Sequence, residues 1–140
     1  MDTMYTANAT ATGGGREGKS RTDDGKVDVT LTPPKEMGGS GTGTNPEQLF
    51  ATGYAACFLG ALRFAAKNEK KTVADEATIT THVSIGKRDD GQGFGLAVTI
   101  EGHLPGMSKE EAEALMEKAH VVCPYSHSIR GNVVVTTSAV

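Results

Sequence analysis

Residues 44–67, TNPEQLFATGYAACFLGALRFAAK, form the least polar stretch of the chain and hold one of its two cysteines, Cys57. Asn45 followed by Pro46 reads as a helix start. Asn caps the free N–H groups of a first turn, and Pro is tolerated at the first helical position. Glu47 then stands beside the positive end of the helix dipole. From there to about Asn68, Leu49, Phe50, Tyr54, Phe58, Leu59, Leu62 and Phe64 fall on more than one face, and alanine fills much of the rest. A helix apolar nearly all round is a buried one, so this helix should be the centre of the fold.

The flanking sequence supplies the other elements of the fold. MYTANATATGG reads as an edge strand closed by glycines, and GGGREG as a flexible arm with Arg16 near its tip. Lys26–Thr32 alternates Val27, Val29 and Leu31 with polar residues, a half-buried strand, and the Pro- and Gly-rich residues 33–46 form a loop. Beyond the helix, ATITTHVSIGKR and FGLAVTIEGHLP alternate as two long strands around DDGQG, a hairpin signal. Ser108 and Glu111 make a capping box for an amphipathic helix running to His120. VVCPYSHSIRG is a break followed by a short turn or helix, and NVVVTTSAV closes as a strand. The order predicts one α+β domain over residues 1–140, with no internal repeat.

Composition narrows the function. A net charge of −3 gives no reason to expect a nucleic-acid or anionic-membrane partner. No positive n-region and apolar run opens the chain as a signal peptide would, and no run approaches the roughly 18 apolar residues of a membrane span. The expected location is the cytoplasm, where thiols stay reduced and a cysteine pair points to catalysis or metal binding.

Three candidate sites follow. GGSGTGT lies between strand and helix as a phosphate-binding loop would, but no Lys-Ser/Thr follows it and Glu47 would repel an anion, so a plain loop is the default. His120, Cys123 and His127, with Cys57 as a fourth, offer metal ligands; no second matching motif supports them, and a hydrogen-bonded histidine is the default. The cysteine pair is the strongest feature. Cys123 precedes Pro124, so it can cap a short helix whose N–H groups, aimed at the sulfur, would favour a thiolate. The helical neighbours of Cys57 are apolar, so its activating charge must come from elsewhere. Arg16 and Glu47 could supply and hold such a charge. Two thiols, a guanidinium and a carboxylate are what thiol peroxidase chemistry needs. A thiolate becomes a sulfenic acid and condenses with the second thiol, while a carboxylate-held Arg stabilises the charge.

TNPEQLFATGYAACF, HVVCPYSHSIRGN and ATGGGREG together resemble the organic hydroperoxide resistance (Ohr) proteins of the Ohr/OsmC family, over essentially the whole chain. The third glycine before Arg16 departs from the two that look usual. The resemblance implies an intertwined homodimer of the OsmC-like fold, with antiparallel sheets wrapped around paired central helices. It implies a peroxidase reducing alkyl and fatty-acid hydroperoxides to alcohols, without a bound cofactor or metal, recycled by dihydrolipoamide or a lipoylated protein. Cys57 would be the peroxidatic thiol, Cys123 the resolving thiol, and Arg16 and Glu47 the activating pair. Phe50, Phe94 and Tyr125 are the expected substrate-side aromatics. Glu47 and Cys57 are separated by roughly 15 Å along one helix and turned about 80° apart, so they cannot share a site within one subunit. Two helices crossing antiparallel near residue 52 would join Glu47 of one subunit to Cys57 of the other, giving composite sites. A redox-sensing or hydrolytic protein using Cys57, and a binding module with structural cysteines, are the competing readings.

Overall fold

A computed structural model describes residues 1–140. The chain divides into two compact units, residues 1–49 and 50–140. The first is a three-stranded antiparallel meander of β1 (Ala9–Gly13), β2 (Gly18–Thr22) and β3 (Asp28–Thr30). β1 pairs with β2 from Ala9↔Thr22 to Gly13↔Gly18, so the glycine-rich segment read as a flexible arm is the tip of a hairpin. Gly18 closes it because a Cβ there would lie 1.9 Å from the Thr12 carbonyl oxygen. β2 was not legible because GKSRT contains no apolar residue to alternate. β3 is shorter than Lys26–Thr32, but Leu31 just beyond it is buried and bridges to Thr44. All five residues of β1 are exposed.

α1 (Pro46–Asn68) runs over the expected residues. Its cap is reciprocal: Gln48 N–H donates to Asn45 Oδ1 at 2.9 Å, and Asn45 N–H donates to Gln48 Oε1 at 3.1 Å. In the second unit, β4 (Thr78–Lys87) and β5 (Phe94–His103) form the expected hairpin in register Lys87↔Phe94. α2 (Lys109–Val122) starts with the Ser108–Glu111 capping box. α3 (Pro124–Ile129) follows directly, and β6 (Val134–Ala139) closes the sheet in the order β4-β5-β6. β6 lies parallel to β5, so this sheet is mixed; the two helices supply the long crossover that parallel pairing requires.

The core of this unit packs Tyr54, Phe58 and Leu62 of α1 against Val98 and Ile100 of β5 and Leu115, Met116 and Ala119 of α2. Thr81 of β4 donates its hydroxyl to the Ala51 carbonyl at 2.8 Å and ties the sheet to the helix. Two expectations are corrected here. α1 is not buried all round: its inward face repeats at Tyr54, Phe58, Ala61, Leu62 and Ala65, while Thr52, Ala56, Gly60 and Phe64 make an exposed stripe. Phe64 is 57% exposed. By length and composition alone α1 is also long and apolar enough to cross a membrane, with a mean hydropathy of 1.4. Six of its residues are instead buried among the core side chains.

Candidate active site

The second unit brings the two cysteines together. Cys57 projects from the middle of α1, and Cys123 is the joint at which α2 ends and α3 begins. Both are free thiols, with Cys123 donating to the Cys57 sulfur at 3.6 Å. A disulfide needs about 2.05 Å, so a small rotation of either side chain closes the gap. Cys123 is wholly buried and Cys57 only partly, which leaves Cys57 as the thiol a reagent can reach.

Pro124 occupies the first turn of α3 as expected, but the Cys123 side chain accepts no capping hydrogen bond. This corrects the expectation that the α3 N–H groups aim at Cys123. The Tyr125 N–H acts instead on Cys57, favouring its thiolate. Burial is the largest influence on Cys57 and pushes its thiol up; the Tyr125 N–H pulls the other way, and the adjoining Cys123 raises it further. The two groups named here, Tyr125 and Cys123, lie in residues 50–140, and neither is a cation.

The first unit holds the charged pair. Arg16, at the tip of the β1–β2 hairpin, grips Glu47 in the first turn of α1 with two parallel hydrogen bonds: Nη2 to Oε1 at 2.7 Å and Nη1 to Oε2 at 3.0 Å. Glu47 is 12% exposed and Arg16 43%. The hydrogen bonds from Arg16 hold the Glu47 carboxyl below the usual carboxylate range against the opposing effect of burial. The guanidinium is thus fixed in orientation, with one edge spent on the carboxylate and the rest open to solvent.

Aromatic rings surround the thiols. Phe50 and Tyr125 stack with centroids 5.8 Å apart, and Tyr54 contacts Phe50, Phe58 and Tyr125. The Tyr125 ring lies so close to α1 that a Cβ on Gly53 would be 3.0 Å from its hydroxyl. Phe94 is not part of this cluster. It stands 63% exposed at the hairpin end of β5, lining an open groove with Lys87, Arg88 and Asn132. His120 is engaged elsewhere. His120 Nδ1 is 2.8 Å from Ser126 Oγ, and no three His, Cys, Asp or Glu side chains gather as metal ligands.

The model of the OsmC-like protein family matches residues 39–138. An organic hydroperoxide resistance protein of Xanthomonas axonopodis is 50% identical over 134 residues, covering 95% of this chain and 92% of the relative. The chain belongs to the OsmC-like family. It lies on the Ohr branch, as further comparisons bear out. OhrB of Bacillus subtilis is 43% identical over 93% of each chain. The crystal structure of an organic hydroperoxide resistance protein from Legionella pneumophila superposes with a TM-score of 0.92 at 46% identity, covering 99% of this chain and 98% of that one.

Within this Ohr-branch fold, sequence reasoning missed a buried polar chain beside the thiols. Tyr54 Oη lies 2.7 Å from Ser126 Oγ, which in turn meets His120, and Tyr54 and Ser126 are both fully buried. Tyr54 read only as an apolar helix residue, and Ser126 as part of a turn. The available signal was spacing: Tyr54 precedes Cys57 by three residues, while His120 and Ser126 flank Cys123 by three on either side.

Proposed function

We propose that this protein is a thiol peroxidase that reduces organic hydroperoxides to the corresponding alcohols, acting as one functional unit over residues 1–140. The observation that carries the proposal is the pair of free thiols 3.6 Å apart, one reachable and one buried. The Cys57 thiolate attacks the O–O bond, releasing the alcohol and becoming a sulfenic acid. The Cys123 thiol then displaces the sulfenic oxygen as water, leaving a Cys57–Cys123 disulfide. An external dithiol of the dihydrolipoyl type, free or on a lipoylated protein, reduces that disulfide. No bound cofactor or metal takes part. The name of the Xanthomonas relative supports the substrate class, as does the Phe50–Tyr125 stack, which suits an alkyl chain. A thiol pair in contact favours redox chemistry over a binding module with structural cysteines, and two reduced thiols suit the cytoplasm.

Activation of Cys57 requires a second copy of the chain. Burial pushes its thiol up, and no cation offsets this within residues 50–140. Glu47 and Cys57 stand roughly 15 Å apart along α1. We assign the missing cation to Arg16 of a partner subunit, held by that subunit's Glu47, in a homodimer whose α1 helices cross antiparallel. Thr52, Ala56 and Gly60 form an exposed stripe small enough for close helix approach, and the exposed Phe64 ring beyond them offers apolar surface to cover. The deciding experiment is consumption of cumene hydroperoxide with dihydrolipoamide, run beside glutathione and thioredoxin. Sustained turnover with dihydrolipoamide is expected, and none with any reductant would overturn the proposal. Mixing inactive Glu47→Ala and Cys57→Ser chains tests the composite site. Exchange should give one intact site per mixed dimer and restore part of the activity.

A further inference from the structure

We propose that Tyr54, Ser126 and His120 form a clamp that holds Cys123 against Cys57, making them positioning residues for disulfide closure. The inference rests on the peroxidase reading above, and it concerns the step after peroxide attack. Closure joins the Cys57 sulfenic acid to the Cys123 thiol, forms one S–S bond and expels the sulfenic oxygen with two protons as water. Its rate depends on how often the two sulfurs meet in line, and misplacement of reacting atoms by about 1 Å can slow such a step on the order of a hundredfold.

The backbone alone does not fix that meeting. Cys123 sits between two helices, and α3 is only six residues long with no side-chain cap at its start. What orients α3 is its Ser126 hydroxyl, which faces two partners on two other elements. Tyr54 Oη of α1 lies 2.7 Å away, and His120 Nδ1 of α2 lies 2.8 Å away. The chain therefore ties all three helices at positions three residues from each thiol. Arg130 adds a further tie by donating to the His120 carbonyl at 2.7 Å. Tyr54 and Ser126 are fully buried, so water does not compete for their hydrogen bonds. The Tyr54 ring is itself packed on three aromatic neighbours and cannot follow a wandering Ser126. Negative charge on Cys57 or Cys123 acts on the Tyr54 hydroxyl, after burial and its Ser126 hydrogen bond, which sets that group in the neighbourhood of both sulfurs.

The test separates closure from attack. Sulfenic acid on Cys57 is trapped with dimedone after a single dose of cumene hydroperoxide, and disulfide formation is timed by rapid quench. Tyr54→Phe removes one oxygen and keeps the packed ring; Ser126→Ala removes the central link. Both should slow closure on the order of tenfold or more and leave a dimedone-reactive sulfenic acid, while attack changes by about threefold or less. Thr81→Val is the control. It deletes a hydroxyl tie to α1 at Ala51, away from the thiols, and should leave closure unchanged at similar cost to the melting temperature. Unchanged closure in folded Tyr54→Phe, or equal slowing in Thr81→Val, overturns the clamp. Where Ser126→Ala does not fold, Tyr54→Phe decides alone. Equilibration of the dithiol with oxidised dithiothreitol gives a readout without peroxide. A fall of about tenfold in the oxidation equilibrium constant for Tyr54→Phe supports the clamp, and an unchanged constant counts against it, even if the wild type consumes no hydroperoxide, the result that would sink the peroxidase reading alone.

Discussion

Replacing Glu47 by Gln keeps its length and removes its charge, so it tests whether the grip on Arg16 is electrostatic. Two short, parallel, charge-assisted hydrogen bonds make this a stronger pair than a single surface contact. Arg16 is 43% exposed, however, and solvent screens its side of the pair. The coupling is therefore placed near the top of the range for exposed pairs, about 1 kcal/mol. For a chain of 140 residues that corresponds to a melting shift of roughly 3 °C. A double-mutant cycle with Glu47→Gln and Arg16→Gln, read by thermal unfolding, isolates the term. Its pH dependence has a fixed sign. Arg16 depresses the folded-state Glu47 carboxyl below its ordinary value of 4.5, so the stabilisation is complete above that value and fades as pH falls through the lower folded one. The coupling should be present at pH 7, shrink at pH 3 and weaken in high salt. A coupling of zero at pH 7, or one of the same size at both pH values, would refute the reasoning.

Cys57→Ser should abolish hydroperoxide turnover, whereas Cys123→Ser should react once per chain, which a stoichiometric burst without steady state would report. Loss of the burst in Cys123→Ser would reverse the two roles. Gly53→Ala should leave the melting temperature equal or slightly raised, because Ala gains about 0.5–1 kcal/mol over Gly inside a helix. Its Cβ would press on the Tyr125 ring at 3.0–3.4 Å, so the KM for cumene hydroperoxide should rise in steady-state assays. Among linear alkyl hydroperoxides, each added methylene that reaches the aromatic cluster should improve kcat/KM by up to about fourfold. Hydrogen peroxide should trail them all, and equal rates would count against an apolar site.

Much of this architecture was legible because its signals are local. Asn45, Pro46 and Glu47 set the start of α1 within one turn, Ser108 and Glu111 set α2, and DDGQG sets the hairpin. The strand GKSRT was invisible because its residues follow no apolar period; its partner β1 and the approach of Gly18 to Thr12 make it a strand. The Arg16–Glu47 pair could be proposed from charge and type, but its two-pronged geometry depends on a hairpin that sequence did not reveal. The N–H of Tyr125 acts on Cys57, and not on Cys123 as the helix start suggested, where Tyr125 lies against α1 at Gly53. The role of Ser126 is a fact of three helices meeting, and such meetings leave no periodic trace in any one of them.

The separation of the two cysteines along the chain has a consequence during synthesis. Cys57 precedes its partner by 66 residues. At ordinary translation rates of about 5–20 residues per second, Cys123 is added roughly 3–13 seconds after Cys57. Their contact comes later still, since β6 must leave the ribosome before it can pair with β5 and close the sheet beneath α2. Throughout that interval the nascent chain carries Cys57 without the thiol that faces it in the folded protein. Until then Cys57 also lacks the partner's Arg16 assigned above, so under that proposal the sulfur gains its reactivity only once the thiol beside it is in place.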